Sequence, residues 1–95
     1  MTTTTKQSCA AEPFTFDWQA FYDRHGLDPL VDLITSSVWV VEAGTVSLGA
    51  ESIATPTASV FISGGARGES AAIENTIEIN GGTYRDCQTL YMTIT

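Results

Sequence analysis

From Ile34 onward, apolar and polar residues alternate in short runs broken by turn residues, the period of half-buried β-strands. The clearest run is 70–79, where Ile73, Ile77 and Ile79 share one face with Asn75, and Glu74, Thr76 and Glu78 share the other. Asn80-Gly81-Gly82 follows as a hairpin turn, because Asn and Gly accept the positive φ that such turns require. The final strand is expected over Tyr84–Ile94, with Leu90, Met92 and Ile94 inward and Thr89, Tyr91 and Thr93 outward. That register puts Cys87 on the outer face, so a core-spanning disulfide is not expected. Residues 34–41, 45–48, 52–54 and 57–62 read as further short strands, separated by Ala43-Gly44 and by Pro56, and 63–68 reads as a loop.

The N-terminal third follows a different pattern. Residues 1–8 are Thr-rich without periodicity and are expected to form a flexible arm, either frayed or ordered on a neighbouring subunit; β-branched Thr favours extended chain. The folded domain is then 9–95. Phe14 and Phe16 share a face in an extended stretch, and Pro13, which has no N–H, restricts it to a sheet edge. Asp17 can cap a short helix in which Trp18, Phe21 and Tyr22 recur at i, i+3 and i+4, and His25-Gly26 should end it. Asp28-Pro29 opens another turn, with a short helical turn through Leu30 and Val31. The elements together predict an all-β fold: an immunoglobulin-like antiparallel β-sandwich of about seven short strands with one short N-terminal helix. A small closed barrel is the alternative.

Charge narrows the function. The net charge is −7, from 11 acids against 4 bases, and the bases Lys6, Arg24, Arg67 and Arg85 do not cluster. Nucleic-acid binding needs several cations on one face, so no nucleic-acid partner is expected, and an anionic membrane surface is disfavoured for the same reason. No apolar run approaches the roughly 20 residues of a membrane span. The N-terminus lacks the apolar core of a secretory signal, so the chain is expected to stay in a cytoplasm or leave it without the secretory route, with Cys9 and Cys87 as thiols.

Catalytic constellations are missing from the pattern. His25 is the single histidine and falls at an expected helix end, where the helix dipole favours it. Two cysteines and one histidine without paired spacing do not make a zinc site. Asp17, Asp23, Asp28 and Asp32 crowd one segment but lack the spacing of a calcium loop. The glycine-rich stretch 63–69 leads into a strand, whereas phosphate loops lead into a helix N-terminus. Trp18 and Trp39 are expected in the core. The chain is therefore not expected to be an enzyme, and no catalytic, cofactor or metal site is assigned.

Four segments, in order, carry a resemblance: Phe16-Asp17-Trp18; Ile34 to Val41 with its Ser36-Ser37-Val38-Trp39; Val60-Phe61-Ile62-Ser63-Gly64-Gly65-Ala66-Arg67-Gly68; and Asn75 to Gly82. Together they resemble the small immunoglobulin-like virion proteins of tailed bacteriophages known as fibre–tail adaptors, over about residues 14–95. The chain departs from that pattern at 21–33, which is longer than the usual link, and at Glu69-Ser70-Ala71-Ala72, where a more aromatic strand start is usual. The resemblance implies a structural virion role in the tail or neck, assembled in the host cytoplasm. Copies would be arranged around a symmetric ring and contact the portal, connector or tail-tube protein and a tail fibre. A capsid decoration or head-completion role is the near alternative. A carbohydrate-binding adhesive module is the distant one, with Trp18, Tyr84 and Tyr91 as stacking candidates. For the adaptor, the expected partner contacts are the arm (Thr2, Thr3, Thr4, Thr5, Lys6), the loop residues Gly64, Gly65 and Arg67, and Tyr22 and Arg24 in the segment 17–34, which packs on the connector or on the sandwich.

Overall fold

The computed structural model describes residues 2–95, with side chains from Thr3 onward. In chain order these residues form β1 (Thr2–Lys6), β2 (Ala11–Asp17), helix α1 (Gln19–His25), β3 (Ile34–Ala43), β4 (Val46–Ala54), β5 (Thr57–Gly64), β6 (Ser70–Ile79), a 3-10 turn (Asn80–Gly82) and β7 (Tyr84–Ile94). The strands lie in two sheets, ordered β1-β7-β6-β3 and β2-β5-β4. The fold is an all-β sandwich, as the alternation predicts. Lettered A to G in chain order, the sheets read A-G-F-C and B-E-D, which keeps the C-F-G and B-E-D neighbours of the immunoglobulin arrangement and moves the first strand onto the C-F-G side.

The alternating strands make the core directly. Val60, Ile62, Ile73, Ile77, Ile79, Met92 and Ile94 are all essentially without solvent exposure. Burial along β6 alternates residue by residue, as the sequence requires of a strand with one face on a core. Phe16 stacks on Trp39 with ring centroids 5.5 Å apart, joining the two sheets. Pro13 sits on β2, an edge strand that pairs only with β5, the position in a sheet where a residue without an N–H is tolerated.

Asn75 is the polar residue on the apolar face of β6, and it is fully buried. Its side-chain oxygen accepts from Trp18 Nε1 at 3.1 Å, and its Nδ2 donates to Ser37 Oγ at 2.9 Å and to the Val38 carbonyl at 3.2 Å. Trp18 is itself fully buried, and its backbone N–H reaches the Pro56 carbonyl at 2.8 Å. The helix α1 is thus pinned to both sheets through the residue that starts it. Asp17 contributes by accepting the Gln19 N–H at 2.9 Å, and Gly26 ends the helix in the left-handed conformation at φ 65°.

Three expectations need correction. Thr2–Lys6 is not a free arm: it is an edge strand paired in parallel with β7, from Thr2 beside Leu90 to Lys6 beside Ile94. The sandwich is therefore not wholly antiparallel. The turn at 7–10, closed by Ala10 N–H to Gln7 carbonyl at 3.1 Å, carries the chain from one sheet to the other, so β1 and β7 run the same way. The short pieces expected at 45–48 and 52–54 are one strand, β4, interrupted by a register shift between Leu48 and Glu51 around Gly49-Ala50.

Candidate docking surfaces

Among the described residues the two clearest concavities are shallow, each about 260 Å³, on the outer faces of the sheets around Phe61 and Val38. No three His, Cys, Asp or Glu among the described residues converge on one point, and no helix there is long and apolar enough to cross a membrane. The candidate functional surface is therefore the pair of sandwich ends. They are separated by the length of β6, whose 10 residues span roughly 30 Å.

One end carries the glycine loop. Gly64 and Gly65 take φ values of 75° and 98°, and a Cβ on Gly65 would meet Ile94 and Val46 at 3.1 Å, so glycine is required there. Glu69 braces the loop: its Oε1 accepts from Thr45 N and Oγ1, both at 2.9 Å, and from Ala66 N at 3.2 Å. Gly68 N–H reaches the Ile94 carbonyl at 2.7 Å. Arg67 is exposed and, among the described residues, has no acidic partner within ion-pair distance. Lys6 lies at this end too, but 1% exposed. Its Nζ donates to the Gly64 carbonyl at 2.7 Å and to the Gln7 carbonyl at 2.8 Å.

The opposite end carries α1, the 27–33 loop and the Asn80–Gly82 turn. Tyr22 is fully buried, and its hydroxyl donates to the Asp32 carbonyl at 2.6 Å. Burial raises its pKa, and the Asp32 charge adds to that. Asp32 Oδ2 accepts Asp28 N–H at 2.9 Å and its Oδ1 accepts Asn80 Nδ2 at 2.8 Å. Asp28 in turn accepts Leu30 N–H at its side chain, 2.9 Å, and Val31 and Asp32 N–H at its carbonyl, 2.9 and 2.7 Å. The short helical turn expected through Leu30 and Val31 is this closed loop. Arg24 is 66% exposed, 3.7 Å from Asp86 and with its guanidinium 5.5 Å from the Phe21 ring centre. His25 rests against Phe21 and Tyr84, with ring centres 4.4 and 5.7 Å away.

The expected contact residues thus divide. Gly64, Gly65 and Arg67 share one end, and Arg24 lies at the other. Thr3 and Thr5 are exposed and Thr4 is half-buried on β1; the side chain of Thr2 lies outside the described residues. Lys6 and Tyr22 are corrected: both are buried with their polar atoms bonded inside the domain, so neither side chain is available to a partner. Of the sugar-stacking candidates, Trp18 is buried and Tyr84 half-buried, leaving Tyr91, 44% exposed, on the outer sheet face. Cys9 and Cys87 are exposed free thiols. Ser8, next to Cys9, bonds the Thr95 carbonyl, eight residues along from Cys87 and so roughly 26 Å away.

The least expected feature is apolar. Leu30 is 90% exposed, Val31 70% and Leu33 50%, side by side on the braced loop. No periodicity marks them, since three apolar residues beside Pro29 read equally as a turn packed inward.

Both loop-bracing carboxylates ionise more readily than usual. Asp32 is lowered by the Asp28 N–H and then by the Asn80 amide. Glu69 is lowered chiefly by the Thr45 N–H, helped by the Thr45 hydroxyl and the Ala66 N–H. A carboxyl lowered in the folded state adds stability that is complete above its unfolded pKa and is lost as pH falls through the folded one. Stability should therefore hold at neutral pH and fall on acidification below about 4.5, the ordinary glutamate value. Denaturant titrations at stepped pH check this. A D32N/E69Q variant should show a flatter acid limb, and an acid limb as steep as wild type would refute the assignment.

With this geometry in view, the family whose model is described as "Podophage GP4 fiber-tail adaptor protein gp77" matches residues 6–93. No curated protein matches the chain.

Proposed function

The chain belongs to the podophage fibre-tail adaptor family, and from that premise we propose that it bridges tail fibres or spikes to the head–tail connector or tail tube. Its role is structural and its place is the phage tail. In the proposed arrangement several copies ring the tail axis, assembled in the host cytoplasm, and no catalysis is involved. The supporting observation is the shape: a body of 41 × 23 × 17 Å with a hydrogen-bonded loop at each end. A bridge needs two separate contact surfaces held at a fixed distance, and two braced loops on a sandwich supply that at little ordering cost on binding.

The first contact region is the 64–68 loop with Arg67, whose free guanidinium suits a carboxylate on a partner. Exposed Thr3 and Thr5 on edge strand β1 extend it along the sheet edge, where unpaired backbone groups accept another chain. Arg24 belongs to the other end.

The test is capture of the tagged chain from phage-infected lysate, with bound proteins identified by mass. A fibre or spike protein together with a connector or tail-tube protein is the expected yield, and R67A should reduce one of them without the other. Capsid protein alone would replace the adaptor reading by decoration. Glycan binding with no virion protein captured would replace it by an adhesive module.

A further inference from the structure

Resting on the adaptor reading, we infer that the 27–33 loop is an apolar peg that seats in a socket on a second tail protein, an apolar pocket rimmed by lysine or arginine. Exposed aliphatic residues are ordinary when scattered, but here the two most exposed large apolar side chains among the described residues are neighbours, Leu30 and Val31, with Leu33 two positions on. The remaining exposed ones, Val38, Val40, Ile53, Phe61 and Tyr91, lie on strand faces at 43–51% exposure.

The loop is held ready rather than loose. Asp28 and Asp32 close it on itself, Tyr22 Oη and Asn80 Nδ2 tie Asp32 to the core and to the next turn, and the Asn80 N–H bonds the Leu33 carbonyl at 3.1 Å. An apolar tip fixed in one shape has already lost the conformational freedom that docking would otherwise cost.

Charge names the kind of partner. Residues 26–33 carry two carboxylates and no cation, and Arg24, at the same end, lies 3.7 Å from the carboxylate of Asp86. Asp32 stays ionised because N–H groups hold its anion, and Asp28 is exposed. A pocket edged by cations fits this acidic collar, steers the approach of a chain with net charge −7, and weakens with salt. A second copy of the chain, equally acidic, fits it poorly. An anionic lipid surface would repel it. The peg lies at the opposite end from Arg67, so each end addresses a different neighbour.

The experiment compares the full tagged chain with its L30S/V31S variant in capture from infected lysate. The tail protein that differs between the two is then purified and its binding measured at low and high salt. Both side chains are exposed, so the variant should melt with the wild type. The variant is expected to lose one identified tail protein by on the order of 10-fold or more while keeping the partner bound at the Arg67 end. Wild-type binding of the purified protein should weaken as salt is raised. Equal capture by both chains would overturn the peg and leave the adaptor reading standing. Loss of self-association, with virion partners unchanged, would assign the loop to a second copy and overturn the proposed socket. Failure of the wild-type chain to capture any tail protein would overturn both.

Discussion

Replacing Asn75 with alanine is expected to destabilise the domain by about 2–4 kcal/mol, a large fraction of what a chain this size holds. The cost comes from the partners left behind. Trp18 Nε1 would be buried without an acceptor, and Ser37 Oγ and the Val38 carbonyl would each lose a donor. An unsatisfied buried donor costs about 1–3 kcal/mol. At this length 1 kcal/mol moves the melting temperature by roughly 4–8 °C, so a drop of roughly 8–32 °C is the expected reading. W18F gives up the same bond from the other side, leaving the buried Asn75 oxygen without its donor and a void where the second ring of the indole packed. Joining the two changes should cost less than their sum, because each removes the same 3.1 Å contact. Strict additivity, or an N75A domain that melts with the wild type, would mean that the Trp18–Asn75 bond does not tie α1 to the sheets.

Asn75 also marks what the sequence can reveal and what it cannot. Its place on the apolar face of β6 is plain from the alternation of Ile73, Ile77 and Ile79, because a strand's period is short and local. Its partner is 57 residues away, and only the fold brings Trp18 to it. The same limit explains β4. Gly49-Ala50 interrupts the alternation, so the strand reads as two pieces, although pairing with β5 carries it through. Gly64 and Gly65 are legible as a turn, and their end of the sandwich follows from strand order. Leu30 and Val31 are not legible as exposed, because hydrophobicity predicts burial and the carboxylate that closes their loop, Asp32, is tied to the fold by Asn80, 48 residues away. Tyr22 was legible as one of the helix's apolar stripe, and that same stripe takes it out of reach of any partner.

The greatest departure from the sequence pattern is at the N-terminus, where low periodicity concealed a strand. Deleting Thr2–Lys6 is accordingly expected to destabilise the isolated domain by about 2–4 kcal/mol rather than leave it unchanged. β1 covers the edge of β7 from Leu90 to Ile94, and the backbone continues the seam beyond it through Thr95 N–H to the Lys6 carbonyl at 2.8 Å. Lys6 then joins the two sheets, since β1 belongs to one and Gly64 ends a strand of the other. A buried ammonium bonded to carbonyls is costly unless those bonds are made, so the two carbonyl contacts and the packed aliphatic stem act together. Three variants separate these parts. K6M keeps the stem and leaves the Gly64 carbonyl without its donor, and should lose about 1–3 kcal/mol. K6A loses the stem as well and should fall further. The deletion should match or exceed K6A and lower the urea m-value, because a native state without β1 has less surface left to expose on unfolding. Amide exchange along Leu90–Ile94 should accelerate in the same order. An unchanged melting temperature, with protected amides in β7 after the deletion, would show that β1 adds nothing to the isolated domain. The strand would then be free to pair with a neighbouring chain instead.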